Sequence, residues 1–338
     1  MAGSLPKPLA DLLRETSRSF YLTLRVLPAD IRRQIALAYL LARTTDTVAD
    51  TSVLPIDERL TALQQLRDAI LGAGNAPDFT NLAGRQDWPA ERELLEKVSW
   101  ALAELAALSE PDRELVREVL SVIISGQELD LKRFSAASAG QIIALKDDAE
   151  LDDYTHRVAG CVGEFWTRIC RAHLFPAEVL DEKSLLANAV RFGKGLQLVN
   201  ILRDLPIDLR NGRCYLPNTA LASIKLLPSD LLKTSVEPEF KPVYRHYLDL
   251  AESHLRAGWE YTNTVPRRCR RVRLACAWPV LIGMETLARL RLGNILDSEI
   301  RIKISRSEVR NIMLRSFLSH PFPKLWRRLL PSSPSSPI

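Results

Sequence analysis

Two aspartate pairs share one spacing, Asp46-Thr-Val-Ala-Asp50 and Asp204-Leu-Pro-Ile-Asp208. On a helix, residues i and i+4 lie on one face, so each pair would aim two carboxylates in the same direction. Two such carboxylates repel each other, which a structural role does not explain. A hard divalent cation does explain them: Mg²⁺ takes oxygen ligands, commonly one or two carboxylates plus phosphate oxygens of a substrate. The flanks, Tyr39-Leu-Leu-Ala before the first pair and Leu198-Val-Asn-Ile-Leu before the second, are too apolar for an ordinary solvated face. Arginine accompanies both, with Arg43 three residues ahead of Asp46 and Arg203 beside Asp204. A single pair would carry little weight, because acids four apart are common on solvated helices. The repetition points to metal-assisted binding of a phosphorylated substrate between opposing helices of a bundle.

The elements that must hold these residues are helices. The apolar period from Pro28 to Asp50 predicts one helix bearing the first pair. Leu185 to Leu205 predicts another, with Asp204 at its C-terminal end. Pro206 removes a backbone donor inside the second motif and is expected to kink or restart that helix, so that Asp204 and Asp208 would not share a face as an ideal helix would place them. Further helices are expected at Ile56 to Leu71, ended by Gly72-Ala-Gly74, and at Ala90 to Leu108, Asp112 to Phe134, Leu151 to His173, Lys241 to Thr264 and Arg271 to Leu292. Residues 74–89 read as a loop, and Asn211-Gly212 as a turn. No stretch alternates well enough to be a strand. The expected fold class is all-α, with a single synthase domain over residues 1–310. Residues 311–338 read as a basic, aromatic, Pro/Ser-rich tail, either disordered or lying on an anionic membrane surface.

Bulk properties narrow the classes. The 338 residues are 46% hydrophobic and 26% charged, a soluble balance that can bury a large core. A net charge of +5 suits anionic substrates or membranes without indicating nucleic acid. The cysteines at 161, 170, 214, 269 and 276 form no CxxC pair, and no signal-peptide pattern opens the chain, so a reduced, cytoplasmic protein is expected. The longest apolar run, Ala275 to Met284, is too short to span a bilayer. No GxGxxG motif follows a strand, which excludes a Rossmann-type cofactor site.

Several blocks resemble the squalene/phytoene synthases, which join two prenyl diphosphates head to head. They are Ser17-Arg-Ser-Phe20, the run from Tyr39 to Asp50, Tyr154-Thr-His-Arg-Val-Ala-Gly-Cys-Val-Gly163, and the run from Gln197 to Pro217. The resemblance implies an isoprenoid-synthase-type helical bundle around a central cavity. It implies Mg²⁺ on Asp46, Asp50, Asp204 and Asp208, and diphosphate contacts from Ser17, Arg18, Arg43, Arg203, Arg213, Gln197 and Asn200. Tyr39, Tyr154 and Arg43 would stand at the reacting centre, where a ring can stabilise an allylic cation and a phenol can relay a proton. Read from the residues alone, both tyrosines read as core residues with satisfied hydroxyls, Arg213 could cap the Asn-Gly turn, and Gly160 and Gly163 read as helix-packing positions. Asp130, in Gln127-Glu-Leu-Asp130, could face either the cavity or solvent. Many relatives place a glutamate before the last aspartate of each motif; here the residues are Ala49 and Ile207.

The C-terminal third resembles squalene synthases in particular, through Leu274 to Ala288 and Ile302-Lys-Ile-Ser-Arg306. That implies NADPH as a second cofactor, held by Lys303 and Arg306 with Asn200. It also implies two farnesyl diphosphates as substrates, a monomer, no nucleic-acid partner, and peripheral contact with the inner membrane surface. Phytoene, dehydrosqualene or presqualene diphosphate synthesis without reduction is the alternative. A non-catalytic family member is a third reading, against which the intact aspartates argue.

Overall fold

The computed structural model describes residues 5–17, 20–51, 53–138, 140–299 and 302–330. Helices dominate it, as a Leu-, Ala-, Arg- and Glu-rich chain with few glycines predicts. Helices α1 (Lys7–Thr16) and α2 (Phe20–Val26) lead into the long α3 (Ala29–Asp50) and then α4 (Ile56–Leu71). α4 stops where Gly72 adopts a left-handed φ of 79° and returns its N–H to the Ala69 carbonyl. The expected loop beyond it carries a short helix, α5 (Thr80–Ala83). The helix expected over 90–108 is in fact two, α6 (Pro89–Glu96) and α7 (Val98–Ala106), parted at Lys97. In α8 (Glu110–Arg133) the Ser109 hydroxyl accepts the Asp112 N–H, and Pro111 sits in the first turn, where a missing donor costs nothing.

Two short strands form where none was expected. β1 (Ile143–Leu145) lies parallel to β2 (Arg213–Pro217), with Ile143 opposite Arg213 and Leu145 opposite Pro217. At three and five residues they are too short for alternation to show in the sequence. Between them, α9 (Asp148–Thr155) runs through a π-helical turn at His156–Gly160 into α10 (Cys161–Leu174). α11 (Glu182–Arg210) follows, its first turn capped by Asp181, and α12 (Asn218–Ser223), α13 (Glu237–Thr264) and α14 (Arg270–Leu292) complete the bundle. One apolar core unites α1 to α8 with α10, and a second unites α9, α11, β2, α13 and α14.

Two details of α11 bear on the site. A Cβ on Gly163 would lie 2.0 Å from the Ala189 carbonyl oxygen, and one on Gly193 would lie 2.1 Å from that of Ala159. Backbone therefore touches backbone along α11, and Gly163 serves packing. The second detail is Pro206, which does not break the helix. Its ring leaves the Leu202 carbonyl without a helical donor, and the buried Tyr244 hydroxyl on α13 donates to that oxygen at 3.0 Å. The helix does not restart at Pro206, and the carbonyl that its ring orphans takes its donor from another helix. Asp204 and Asp208 thus remain on one continuous helix, α11.

The segment read as a tail begins inside α15 (Arg306–Ser319), which opens with a Ser305–Glu308 capping box. It continues into α16 (Pro323–Arg327), whose Trp326 is 2% exposed and stacks on Trp259. Residues 331–338 lie outside the described residues. Among those described, no helix is long and apolar enough to cross a membrane.

Candidate active site

Three helices and a strand bring the acidic residues together. α3 supplies Asp46 and Asp50, α8 supplies Gln127 and Asp130, α11 supplies Asp204 and Asp208, and β2 supplies Arg213 and Tyr215. The Gln127 amide donates to Asp46 Oδ1 at 2.5 Å, and Arg43 stands 3.9 Å from Asp46 Oδ2 while bonding Glu91 at 2.5 Å. Arg203 grips Asp204 with both ends of its fork, Nε to Oδ1 at 2.9 Å and the terminal nitrogen to Oδ2 at 2.5 Å. Arg213 lies 3.6 Å from Asp130. It is the cation whose field reaches Asp50 of the first motif as well as Asp208 of the second. The two pairs therefore form one electrostatic unit.

That unit is short of positive charge. Asp208 is pushed up to about 7, chiefly by burial and then by Asp204, against the pull of Arg213. Asp46 rises to about 6, again through burial first and its partner Asp50 second, with Arg43 and Gln127 opposing. Asp50 also rises, through burial, despite Arg213, Arg43 and Arg59. Asp130 rises to about 6 for the same leading reason, with Asp50 adding to it. Asp46 keeps 46% of its side-chain surface while Asp130 keeps 15%. The first sits in a water-reachable cleft walled by protein, and the second lies deeper.

A tyrosine pair completes the wall. Tyr154 and Tyr215 stack with ring centroids 4.8 Å apart. The Tyr154 hydroxyl donates to Tyr215, which donates to Asp130 at 3.0 Å. Burial raises both phenols above their ordinary range, so both stay protonated donors. The chain of hydrogen bonds runs from an apolar core tyrosine to a carboxylate that Arg213 also faces.

Other expected residues lie differently. Tyr39 donates to the Thr16 carbonyl at 3.2 Å. The Ser17 hydroxyl donates back to Leu13 of its own helix at 2.5 Å. Arg18 lies outside the described residues. Gln197 is half-buried and Asn200 exposed on α11, two turns and one turn ahead of Asp204. Lys303 and Arg306 are exposed at the segment entering α15, where the Lys303 carbonyl accepts from Arg289 at 2.7 Å. No described hydrogen bond or ion pair joins either of them to the aspartates. Ala49 is buried in the core and Ile207 is exposed.

The sequence reading passed over Gln127 and Tyr215 and left Asp130 open. Spacing carried a signal for two of them, since Gln127 and Asp130 are i and i+3 on α8, whereas Tyr215 is reached only through strand β2. The donor set suits a hard cation, being carboxylate and amide oxygen throughout. Two buried acceptors, Gln127 Oε1 and Asp130 Oδ1, have no hydrogen-bond partner among the described residues. Yet no three carboxylate, histidine or cysteine side chains close into a cage among the described residues. Such a site fits Mg²⁺ shared with substrate phosphates, which keeps water and needs few protein ligands.

Fold and site together define an all-α protein that carries its paired aspartates on α3 and α11. The sequence pattern of the squalene/phytoene synthase family matches residues 13–308, and the chain belongs to that family, whose members are prenyltransferases. It is 28% identical to the presqualene diphosphate synthase of Rhodopseudomonas palustris over 78% of this chain and 81% of that one. It is 26% identical to a squalene synthase of Saccharomyces cerevisiae over 90% of this chain and 66% of that one. A bifunctional lycopene cyclase/phytoene synthase of Colletotrichum graminicola is 28% identical over 85% of this chain; the chain spans about half the length of that relative, 46%. A solved structure of TcSQS with a ligand matches the fold with a TM-score of 0.77 at 20% identity, over 96% of this chain and 90% of that one.

Proposed function

We propose that the chain condenses two farnesyl diphosphates head to head into presqualene diphosphate and then reduces this with NADPH to squalene, acting as a monomer. The observation that carries the first step is the joining of the two aspartate pairs through Arg213. Mg²⁺, held by Asp46 and Asp50 on one side and Asp204 and Asp208 on the other, would supply charge neutralisation to the departing diphosphate. Arg43 beside Asp46, Arg203 on Asp204 and Arg213 beside Asp130 add fixed positive charge, which favours the charge separated when the C–O bond ionises. Tyr154 and Tyr215 present ring faces and held protons beside Asp130. The proton lost as the new carbon–carbon bond closes a cyclopropane has a carboxylate within their hydrogen-bond chain to receive it.

The reductive step rests on the likeness of Leu274 to Ala288 and of Ile302 to Arg306 to squalene synthases, with Lys303, Arg306 and Asn200 toward the nicotinamide cofactor. A second reading stops at presqualene diphosphate. It is favoured by the relatives bearing that name, among them the Zymomonas mobilis protein at 31% identity over 74% of this chain. Purified protein incubated with farnesyl diphosphate and Mg²⁺, with and without NADPH, separates them. Squalene formed only with NADPH supports the first reading. Presqualene diphosphate accumulating despite NADPH supports the second, and no turnover overturns both.

A further inference from the structure

Arg59 on α4 carries a buried charge that no acid holds. It is 9% exposed, and its Nη1 donates to the Ala49 carbonyl at 2.9 Å. Its Nε is buried and without a hydrogen-bond partner among the described residues, and none of their carboxylates pairs with it. The other arginines near the first motif are committed: Arg43 is shared between Glu91 and Asp46, and Arg213 faces Asp130. A guanidinium taken out of water without a carboxylate is costly. A neutral donor could meet one backbone carbonyl at less cost, so the bond to Ala49 does not account for the charge.

The place of Ala49 shows where that charge acts. Ala49 lies between the two aspartates of the first motif, one residue before Asp50, and α3 ends at Asp50. The last turn of a helix is the negative end of its dipole. Here it also carries Asp50, with Asp46 one turn earlier, and it has no basic residue of its own. α11, by contrast, has Arg210 in its last turn. Arg59 thus supplies from α4 what α3 lacks. The fields of Arg59 and Asp50 act on each other, and Arg213 acts on both from β2. The backbone under Asp50 has a second support, because the Gln86 amide donates to Thr51 Oγ1 at 2.8 Å and that hydroxyl donates to the Thr47 carbonyl at 2.6 Å. The turn can therefore survive a change at Arg59, which lets the charge be tested apart from the fold.

We propose that Arg59 is a positioning residue of the first aspartate pair, a fixed positive charge behind Asp50 that biases the pair toward a metal-bridged diphosphate and against bare metal. This role rests on the reading of the aspartates as a metal–diphosphate site. Two carboxylates alone attract a divalent cation whether or not substrate is present. A cation behind them subtracts from that attraction and adds to the attraction for an anion. The complex of one Mg²⁺ with a diphosphate ester is an anion, so Arg59 makes tight metal binding conditional on the diphosphate. Being buried, Arg59 acts through its field and through the turn it holds, not by touching phosphate.

The test uses the full chain and two ligands: pyrophosphate in the presence of Mg²⁺, titrated by calorimetry, and Mn²⁺ without pyrophosphate, followed by electron paramagnetic resonance. Arg59→Gln keeps a donor and loses the charge. It should bind pyrophosphate with Mg²⁺ roughly tenfold more weakly, while its affinity for Mn²⁺ alone stays equal or rises. Arg59→Lys keeps the charge and should bind pyrophosphate within about threefold of wild type. Arg59→Met, neutral and of similar length, gives the same comparison should Arg59→Gln fail to fold. A purely structural role would weaken both ligands together. Arg59→Gln binding pyrophosphate as tightly as wild type, or losing pyrophosphate and Mn²⁺ in parallel, overturns the role of Arg59 and leaves the metal–diphosphate site standing. Wild type that binds no pyrophosphate in Mg²⁺ overturns the site itself, and the role of Arg59 with it.

Discussion

The two aspartate pairs are alike in sequence and unlike in how they are supported. Asp46 is held from outside its own helix, by Gln127 of α8, and from within it by Arg43, itself braced on Glu91 of α6. Asp204 is held by its immediate neighbour Arg203, and Asp208 is pushed up to about 7 by burial and by Asp204, despite Arg213 and Arg203. The helix under the second pair also depends on a distant hydroxyl, since Tyr244 makes good the donor that Pro206 removes. A repeated motif therefore does not imply repeated mechanics. The first pair is pre-set by neighbouring helices, whereas the helix under the second relies on a contact from distant sequence.

The largest effect should come from the pre-set side. Asp46→Asn is expected to lower Mg²⁺-dependent turnover of farnesyl diphosphate by roughly 10²–10³-fold, as loss of one preorganised charge-stabilising group does. Melting should be preserved, because a repelled carboxylate is being removed. Near-normal turnover would remove the first pair from the metal site. Gln127→Leu should produce a smaller loss, seen as a raised Mg²⁺ requirement, with Asp46 loosened and still present.

Tyr244→Phe separates the two pairs more finely. It strips the donor from the buried Leu202 carbonyl and should cost about 1–3 kcal/mol of stability. Any loss of turnover should be recovered at high Mg²⁺, because the second pair is displaced and not removed. A variant with wild-type stability would show that water or a helix adjustment satisfies that carbonyl.

The smallest predicted effect concerns pH in the metal-free protein. Asp208 binds its proton more tightly folded than unfolded, so its contribution to stability is full below the unfolded value near 3.8 and is lost as pH rises through about 7. Asp208→Asn should match wild type near pH 3 and gain on it as pH rises, melting roughly 2–4 °C higher at pH 8, where only the wild type must ionise a crowded carboxylate. A variant less stable than wild type at pH 8 would mean that the Asp208 carboxylate is already neutralised.

Much of this was legible in the sequence, and the failures are instructive. The helices carrying both pairs, the turn at Asn211-Gly212 and the all-α class follow from period and punctuation, which are local. Pro206 misled for the same reason: proline's local rule is sound, and its remedy lies on α13, 38 residues further on in the chain (206 to 244). Strand β2 was invisible because five residues are too few to show alternation, yet it delivers both Arg213 and Tyr215. The aromatic, basic C-terminal segment looked like a tail because its composition suits one. Trp326, Ser316 and the Ser305 cap instead fold residues 306–330 onto the bundle. Composition cannot reveal which aromatic residue finds a partner.

The central claim is that both pairs act as one metal–diphosphate site. Calorimetric titration with a non-hydrolysable farnesyl thiodiphosphate tests it directly, using wild type, Asp46→Asn and Asp208→Asn, each with and without Mg²⁺. The account predicts binding that requires Mg²⁺ and weakens at least tenfold (on the order of 1.4 kcal/mol) in either variant. Binding that persists without Mg²⁺, or that only one of the two variants disturbs, would contradict it.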